Sequence, residues 1–423
     1  MTTTVAPPST LDEQPRPKWW AHAGVRWALY AAFTVFLLSI TQEFATPSTD
    51  QLTSSETASL AIRWAVPIML AGLGGLWAER AGIVNIGLEG MMVFGTWCGA
   101  YGAVIGSPWL GVLFGILGGA FGGLLHALAT VTFRVDHIVS GVAINLLAPG
   151  VTRFLSDTIF SGYQGGSISQ SPSVDDVGEF SVPLLSDLFG WFEDRGWFFV
   201  SDSAGLLGGV VTDISWLTVV AYLFLPLTAF VLWRTTFGLR LRSCGEDPWA
   251  AETVGVNVLF HKFVAVVISG ALAGLAGAFI VLELTGIYKE NQTNGRGFIG
   301  LATMIFGNWR PVGTALGALL FGFADALQLR DRTAVHALLL LAAIVLALLA
   351  VRALRRGNRT SAFLFIVFGV LFALWYALSD SVPSQLPQVT PHIMTLVVLV
   401  FAVRRLRMPA ADGAIYSKGE GAH

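Results

Sequence analysis

The sequence predicts an all-α polytopic membrane protein of about 12 transmembrane helices with both termini cytoplasmic. Three observations predict it. Hydrophobic residues make up 54% of the chain and charged residues 12%, where an ordinary soluble domain carries about 25% charged residues. Apolar runs of about 20 residues, the length that crosses a bilayer, recur along the chain. Basic residues gather in alternate connections, and the positive-inside rule reads those as cytoplasmic.

Residues 1–23 begin Thr/Pro-rich and polar, the composition of a disordered tail. The apolar run at 24–41 has many spans after it and is read as a retained first helix, not a signal peptide. Predicted spans follow at 24–44, 58–78, 82–105, 109–132, 138–160, 215–233, 263–284, 311–329, 335–351, 361–378 and 391–403, with a shorter glycine-rich stretch at 297–307. Arg16, Lys18 and Arg26 place the first tail inside. Segment 45–57 has Asp50 and Glu56 and no base, so it is outside. Loop 161–214 carries Asp175, Asp176, Glu179, Asp187, Glu193, Asp194, Asp202 and Asp213 against the single base Arg195, and is also outside. Segment 234–262, with Arg234, Arg240, Arg242 and Lys262, lies inside, as do Arg352, Arg355, Arg356 and Arg359 and the group Arg404, Arg405 and Arg407. These assignments agree only if 297–308 is a full, short crossing. In the same scheme Lys289, Arg296, Arg330 and Arg332 fall outside.

Gly111, Gly115, Gly119 and Gly123 recur every fourth residue, so one face of that helix is bare backbone. Gly95/Gly99, Gly270/Gly274 and Gly313/Gly317 repeat the spacing. Small residues let helices approach closely in lipid, so the pattern predicts a compact bundle.

Nucleotide hydrolysis is not expected of the chain, which has no G-x-x-x-x-G-K-[ST]. H-E-x-x-H and G-x-S-x-G are also missing. The seven histidines are scattered, without metal-ligand spacing. Cys98 lies in an apolar run and Cys244 in a basic loop, so no disulfide joins them. A net charge of −2 gives no sign of nucleic-acid binding.

Polar residues inside spans face the bundle interior or a water-filled path. In "ERAGIVNIGLEGMM" at 79–92, a helix starting near Gly82 puts Asn85, Glu89, Met92 and Thr96 on one face. Glu89 then lies about 10 Å along that helix. Arg153 and Asp157 are spaced to pair, as are Asp325 and Gln328. Asn145 lies between Ser140 and a break at Pro149-Gly150. Each residue taken singly reads as an interhelical hydrogen bond. Their spread over several spans makes Asn85, Glu89, Thr96, Asn145 and Asp325 the candidate translocation path or gate.

In "RTTFGLRLRSCGEDPWAAETVGVNVLFHK" at 234–262, Asp247 suits an N-cap and Pro248 the first helical position. About two helical turns follow, and Gly255 is a natural stop. A short capped helix with a small-residue face, set in a basic loop, has the form of a docking element.

Three stretches resemble the permease subunits of bacterial ABC importers in the branched-chain amino acid, ribose and nucleoside class. They are "ERAGIVNIGLEGMMVFG" at 79–95, "TFGLRLRSCGEDPWAAETVGVNV" at 236–258 and "GFIGLATMIFGNWRPVGTALGALLFGFADALQ" at 297–328. With "LPQVTPHIMTLVVLVFAVRR" at 386–405 they look most like the nucleoside/simple-sugar branch. The resemblance implies a ten-helix permease core over 24–334, with outer loop 161–214 and cytoplasmic coupling loop 234–262. The pair of spans at 335–378 is then an inserted transmembrane hairpin, and 379–423 supplies the last core helix and a cytoplasmic tail. The coupling helix to the ATPase maps onto Glu246, Asp247, Pro248, Ala250, Ala251, Glu252 and Gly255.

The resemblance also implies the partners: an ABC ATPase subunit, a second permease subunit in a heterodimer, an extracytoplasmic substrate-binding lipoprotein and membrane lipid. This chain binds no cofactor, and ATP is used by the partner ATPase. It would sit in the bacterial cytoplasmic membrane and translocate nucleosides or simple sugars by ATP-driven alternating access. The alternatives are a self-sufficient secondary transporter and a membrane-embedded enzyme. A faint internal echo, "GLEGM" at 87–91 and "GLATM" at 300–304, follows a glycine-containing polar turn each time, as inverted repeats in transporters would.

Overall fold

The computed structural model describes residues 23–44, 52–329, 332–379, 382–383 and 406–419. The tail before residue 23 and the span expected at 391–403 lie outside the described residues.

Helix α1 is Ala23–Phe44 and α2 is Ser55–Arg80. Ser54 caps α2 by accepting from Thr57 N. Next come α3, Leu88–Ile105, and α4, Pro108–Ala127, which continues as a π-helical turn over Leu128–Thr132. Helix α5 is His137–Thr158, capped by Asp136. It runs through Pro149, so the expected break there does not occur. The long loop that follows is built, not featureless. It holds β1 (Glu179–Phe180), α6 (Leu185–Glu193), α7 (Val200–Gly208) and β2 (Ile214–Ser215). The two strands pair antiparallel, Glu179 opposite Ser215. Arg63 of α2 holds the loop down through Glu179 at 2.6 Å.

Helix α8, Trp216–Arg234, returns along the bundle to α9 (Thr236–Glu246) and the short α10 (Pro248–Thr253). Helix α11 is Val258–Phe279, with a π-helical extension over Ile280–Thr285. Then come α12 (Arg296–Phe306), α13 (Pro311–Leu329), α14 (Arg332–Arg355) and α15 (Arg359–Leu378).

Seven helices among the described residues are long and apolar enough to cross a membrane. They are α2, α4 and α5 with their short extensions, α8, α11 with its extension, α14 from His336, and α15. Apolar stretches of α1, α12 and α13 are shorter. The bundle has two distinct ends. The loop end carries α6 and α7. The basic end carries α9, α10, Arg80 and residues 406–419.

Two passages along the bundle are broken, and both depart from the expected spans. The first begins with residues 81–87, which are not helical, so α3 starts at Leu88 and not near Gly82. The second begins with 286–295, irregular from the loop end inward: Ser171 N donates to Tyr288 O and Glu290 N to Ser169 O at the loop end. Helix α12 then carries the chain on to the basic end, where the Arg80 guanidinium donates to Trp309 O. Segment 286–310 therefore passes from one end to the other, first as irregular turns and then as helix. Arg296 lies inside the bundle and not in an outer loop.

The two broken passages belong to two matching groups of opposite sense. Helix α2 packs along α13 as α11 packs along α4, and α3 leans on α11 as α12 leans on α2. Their helix starts correspond, since α3 is capped by Gly87 and α12 by Gly295. The echoing pentapeptides do not: "GLEGM" begins at a cap, whereas "GLATM" begins inside α12.

The core is a contact of backbones. Gly119 of α4 meets Gly270 and Gly274 of α11, and Gly111 meets Gly99 of α3. The glycine ladder thus faces two helices. Helices α14 and α15 pack mainly on each other, with α14 also touching α1 and α13. Cys98 and Cys244 are both free.

A side chain at Gly119 has nowhere to go, because its Cβ would fall on the Gly270 carbonyl and the Gly274 backbone. Gly119→Val should abolish the monodisperse folded peak in detergent size-exclusion chromatography, since overpacking costs about 1–3 kcal/mol or more. Gly150→Ala, where no atom lies within 4 Å of the added carbon, should leave the peak unchanged.

Candidate functional site

Helix starts leave backbone N–H groups without partners, and in an apolar bundle those donors must be bonded by side chains. Both broken passages place such a start in the bundle interior. Glu89, in the first turn of α3, takes two donors from the start of α12. Gly295 N donates to Glu89 Oε1 at 2.9 Å and Gly297 N donates to Oε2 at 2.7 Å. The two helix starts face each other with a carboxylate between them, the favoured charge at the positive end of each dipole. Gly295 has φ +78°, which suits glycine. Gly297 has no room for a side chain, since a Cβ would sit 2.7 Å from Glu89 Cα.

Asn145 does the same for α3. Its Oδ1 accepts from Gly90 N at 2.7 Å, and its Nδ2 donates to Ile86 O at 2.9 Å. Asn85 lies in the irregular segment and not on the α3 face with Glu89. Its amide donates to Ser269 Oγ of α11 at 2.9 Å and its Oδ1 accepts from Gly87 N. Asp325 of α13 pairs with Arg296 at 3.2 Å, and that guanidinium lies 4.6 Å from the Trp64 ring centroid.

Four of the five candidate path residues therefore secure the two breaks. Thr96 does not; its hydroxyl donates to Val93 O of its own helix. The expected Arg153–Asp157 pair is replaced by Arg153–Glu290 at 3.4 Å. That contact ties α5 to the second irregular segment. Helix α12 runs from Glu89 to the basic end, and its 11 residues span about 16 Å.

The sequence reading missed two histidines that hold the first irregular segment. His126 Nε2 donates to Val84 O at 3.2 Å, which leaves Nδ1 to accept from Ser140 Oγ at 2.8 Å. His137 Nδ1 accepts from Val84 N. A histidine inside a predicted apolar span was the signal available. Among the described residues, no group of three His, Cys, Asp or Glu is placed to hold a metal ion.

At the basic end, α10 forms as its sequence specifies. Asp247 Oδ1 accepts from Ala250 N at 2.9 Å, Pro248 takes the first position, and Gly255 turns out of the helix at φ +85°. The small-residue face divides. Ala251 is buried among Cys244, Val258 and Tyr416, so it faces the protein. Ala250, Thr253 and Val254 face out, with Val254 79% exposed.

Residues 406–419 cover the inward side. Ala411 N donates to Gly245 O at 2.9 Å, Ala410 N to Glu246 Oε2 at 3.3 Å and Gly419 N to Glu252 Oε2 at 3.4 Å. Tyr416 meets Trp249 edge-on at 6.1 Å. Glu246 also lies 3.8 Å from Arg80 at the end of α2. Burial pushes the Asp412 carboxyl up to about 6, and Glu79 accepts from Trp309 Nε1. One set of contacts thus joins α10, the ends of α2 and α12, and the C-terminal segment.

The sequence model of the branched-chain amino acid transport system permease component matches residues 57–348. A nucleoside ABC transporter permease protein, NupC of Lactococcus lactis, is 34% identical over 366 residues, covering 84% of this chain and 95% of the relative. The guanosine ABC transporter permease protein NupQ of Bacillus subtilis is 30% identical over 367 residues, with the same coverage of 84% and 95%. A putative glucose ABC transporter permease of Haloferax volcanii is 36% identical over 277 residues, covering 64% of this chain and 76% of the relative. No solved structure matches the chain.

The Glu89 clasp should dominate local stability. Glutamine can accept only one of the two N–H donors, so Glu89→Gln should cost about 1–2 kcal/mol. Leucine leaves both donors unbonded, so Glu89→Leu should cost about 3–5 kcal/mol. Thermal denaturation of the purified variants checks the order wild type, Gln, Leu; equal stability of Leu and wild type would show that the clasp contributes nothing.

Proposed function

This chain belongs to the branched-chain amino acid transport system permease family, and we propose that it is the membrane-spanning permease subunit of a bacterial ABC importer for nucleosides. The relatives matched over almost their whole length are named as nucleoside and guanosine permeases, which supports nucleosides ahead of simple sugars. On this reading the protein is a multi-pass protein of the cytoplasmic membrane, with its basic end inside by the positive-inside rule. It pairs with a second permease subunit in a heterodimer, an extracytoplasmic substrate-binding lipoprotein and a separate ABC ATPase that consumes the ATP.

The observation that carries the mechanism is α10. It is a capped helix whose inner side is bonded to the bundle and whose outer side, Ala250, Thr253 and Val254, is bare. ATPase closure pushes on that outer side. The contacts of Glu246 with Arg80 and of the C-terminal segment with Glu252 pass the push to the ends of α2 and α12. Helix α12 ends at this push and starts at Glu89, so its displacement reaches the facing helix starts. The Glu89 clasp is the gate contact in this proposal, and Asn145 and Asp325 steady the two sides of it. Alternating access then consists of making and breaking bonds at preformed helix starts, without unfolding any helix.

The purified chain reconstituted alone in liposomes should not accumulate nucleoside under a proton or sodium gradient. Accumulation under either gradient would establish a self-sufficient secondary transporter instead. Val254→Asp should lower uptake in cells about tenfold, since one desolvated contact is worth about 1.4 kcal/mol or more, with the membrane level unchanged and ATPase co-purification weakened. Wild-type uptake in that variant would mean that α10 is only a connector.

A further inference from the structure

The loop between α5 and α8 bears an apolar surface that the transport mechanism does not use. Leu188 and Trp191 fall on one stripe of α6 at a spacing of three, with Leu184 just before the helix and Arg195 just after it, and all four are exposed. Trp197 and Phe198, in the turn before α7, are exposed beside them. The Arg195 guanidinium lies 4.1 Å from the Trp191 ring centroid and 5.7 Å from that of Trp197. Asp187 and Asp194 lie to the side of the stripe and are exposed. On the opposite face, Glu193 accepts from Ser55 N at 2.9 Å.

The position of the turn shows what this surface meets. Phe198 packs edge-on against Phe36 of α1 at 6.0 Å, and Phe199 lies 6.5 Å from the same ring. Helix α1 has 22 residues, about 33 Å, which matches a bilayer core of about 30 Å. Phe36 lies eight residues before the end of α1 at Phe44, about 12 Å down the helix from the loop end. The aromatic turn therefore dips alongside a lipid-facing helix, where Phe33 and Phe36 are themselves exposed. Through Phe198, the exposed aromatic turn beside α6 meets the exposed surface of α1.

We propose that α6 and the α6–α7 turn form an interfacial anchor that lies on the bilayer at the loop end, with Leu184, Leu188, Trp191, Trp197 and Phe198 in the headgroup–acyl boundary. An apolar stripe flanked by charge is the form of a helix that lies in the interface plane. Tryptophan is the residue enriched there, and Arg195 presents its charge to lipid phosphates from between two rings. The anchor fixes the height of the outer loop. Through Glu193 on Ser55, and Arg63 on Glu179, it also fixes the loop end of α2 relative to the membrane surface.

Depth-dependent quenching in proteoliposomes tests this. The background carries Cys98→Ser and Cys244→Ser, with one new cysteine at Leu188, Trp191 or, as a water-facing control in the same loop, the exposed Asp175. Each is labelled with an environment-sensitive NBD fluorophore, and only monodisperse preparations are compared. At 188 and 191, 5-doxyl phosphatidylcholine should quench at least about twofold more than at 175, and aqueous iodide at least about twofold less. Iodide quenching at 188 and 191 equal to that at 175, with no doxyl effect, would overturn the proposal and leave the surface to a protein partner. Because the readout involves no transport, it stands or falls separately from the nucleoside reading.

Discussion

A carboxylate that bonds two backbone N–H groups is the contact on which the rest of this bundle depends. A helix that starts inside an apolar bundle exposes donors that no water can reach, and each unbonded donor costs several kcal/mol in a lipid setting. Glu89 bonds Gly295 and Gly297 at once, and Asn145 bonds Gly90. These bonds allow two chain segments to enter the bundle unwound and leave it as helices. Without them neither α3 nor α12 has a supported beginning. Polar residues that look costly in an apolar span thus offset a cost set by the backbone path.

The second constraint is distance. For the helix starts to meet, the surrounding helices must come together backbone to backbone, and glycine is the residue that permits it. The ladder Gly111, Gly115, Gly119 and Gly123 faces α3 and α11, and it brings α4 close enough for His126 to reach Val84 and Ser140. Close packing and polar clasping are therefore one arrangement. The glycines set the spacing that the hydrogen bonds require.

The same coupling of parts recurs at the basic end. Helix α10 is held from within by Tyr416, Cys244 and Val258, and by the C-terminal segment bonded to Gly245, Glu246 and Glu252. That unit is tied through Glu246 to Arg80 and, through Trp309, to the end of α12. Helix α12 then links that unit to Glu89 at its other end.

Much was legible from residue types alone. Composition and run length determined a helical membrane bundle, because lipid leaves few other ways to bond a backbone. The Asp247-Pro248 start and Gly255 stop determined α10, because caps are local chemistry. The four-residue glycine spacing determined which face of α4 packs closely. Other features depended on residues far apart in the chain.

Hydropathy could not show that 81–87 is unwound, since apolar residues serve extended and helical chain alike; α3 therefore began late and Asn85 left the expected face. Nor could it show that Ala251 faces inward, because Tyr416, more than 160 positions away, covers it. Arg153 met Glu290 instead of Asp157, its neighbour on the helix. The sequence by itself determined which segments become helices and which groups need partners. Only the tertiary structure decided which partners they found, because an N–H inside the bundle is bonded by whatever acceptor packing brings to it.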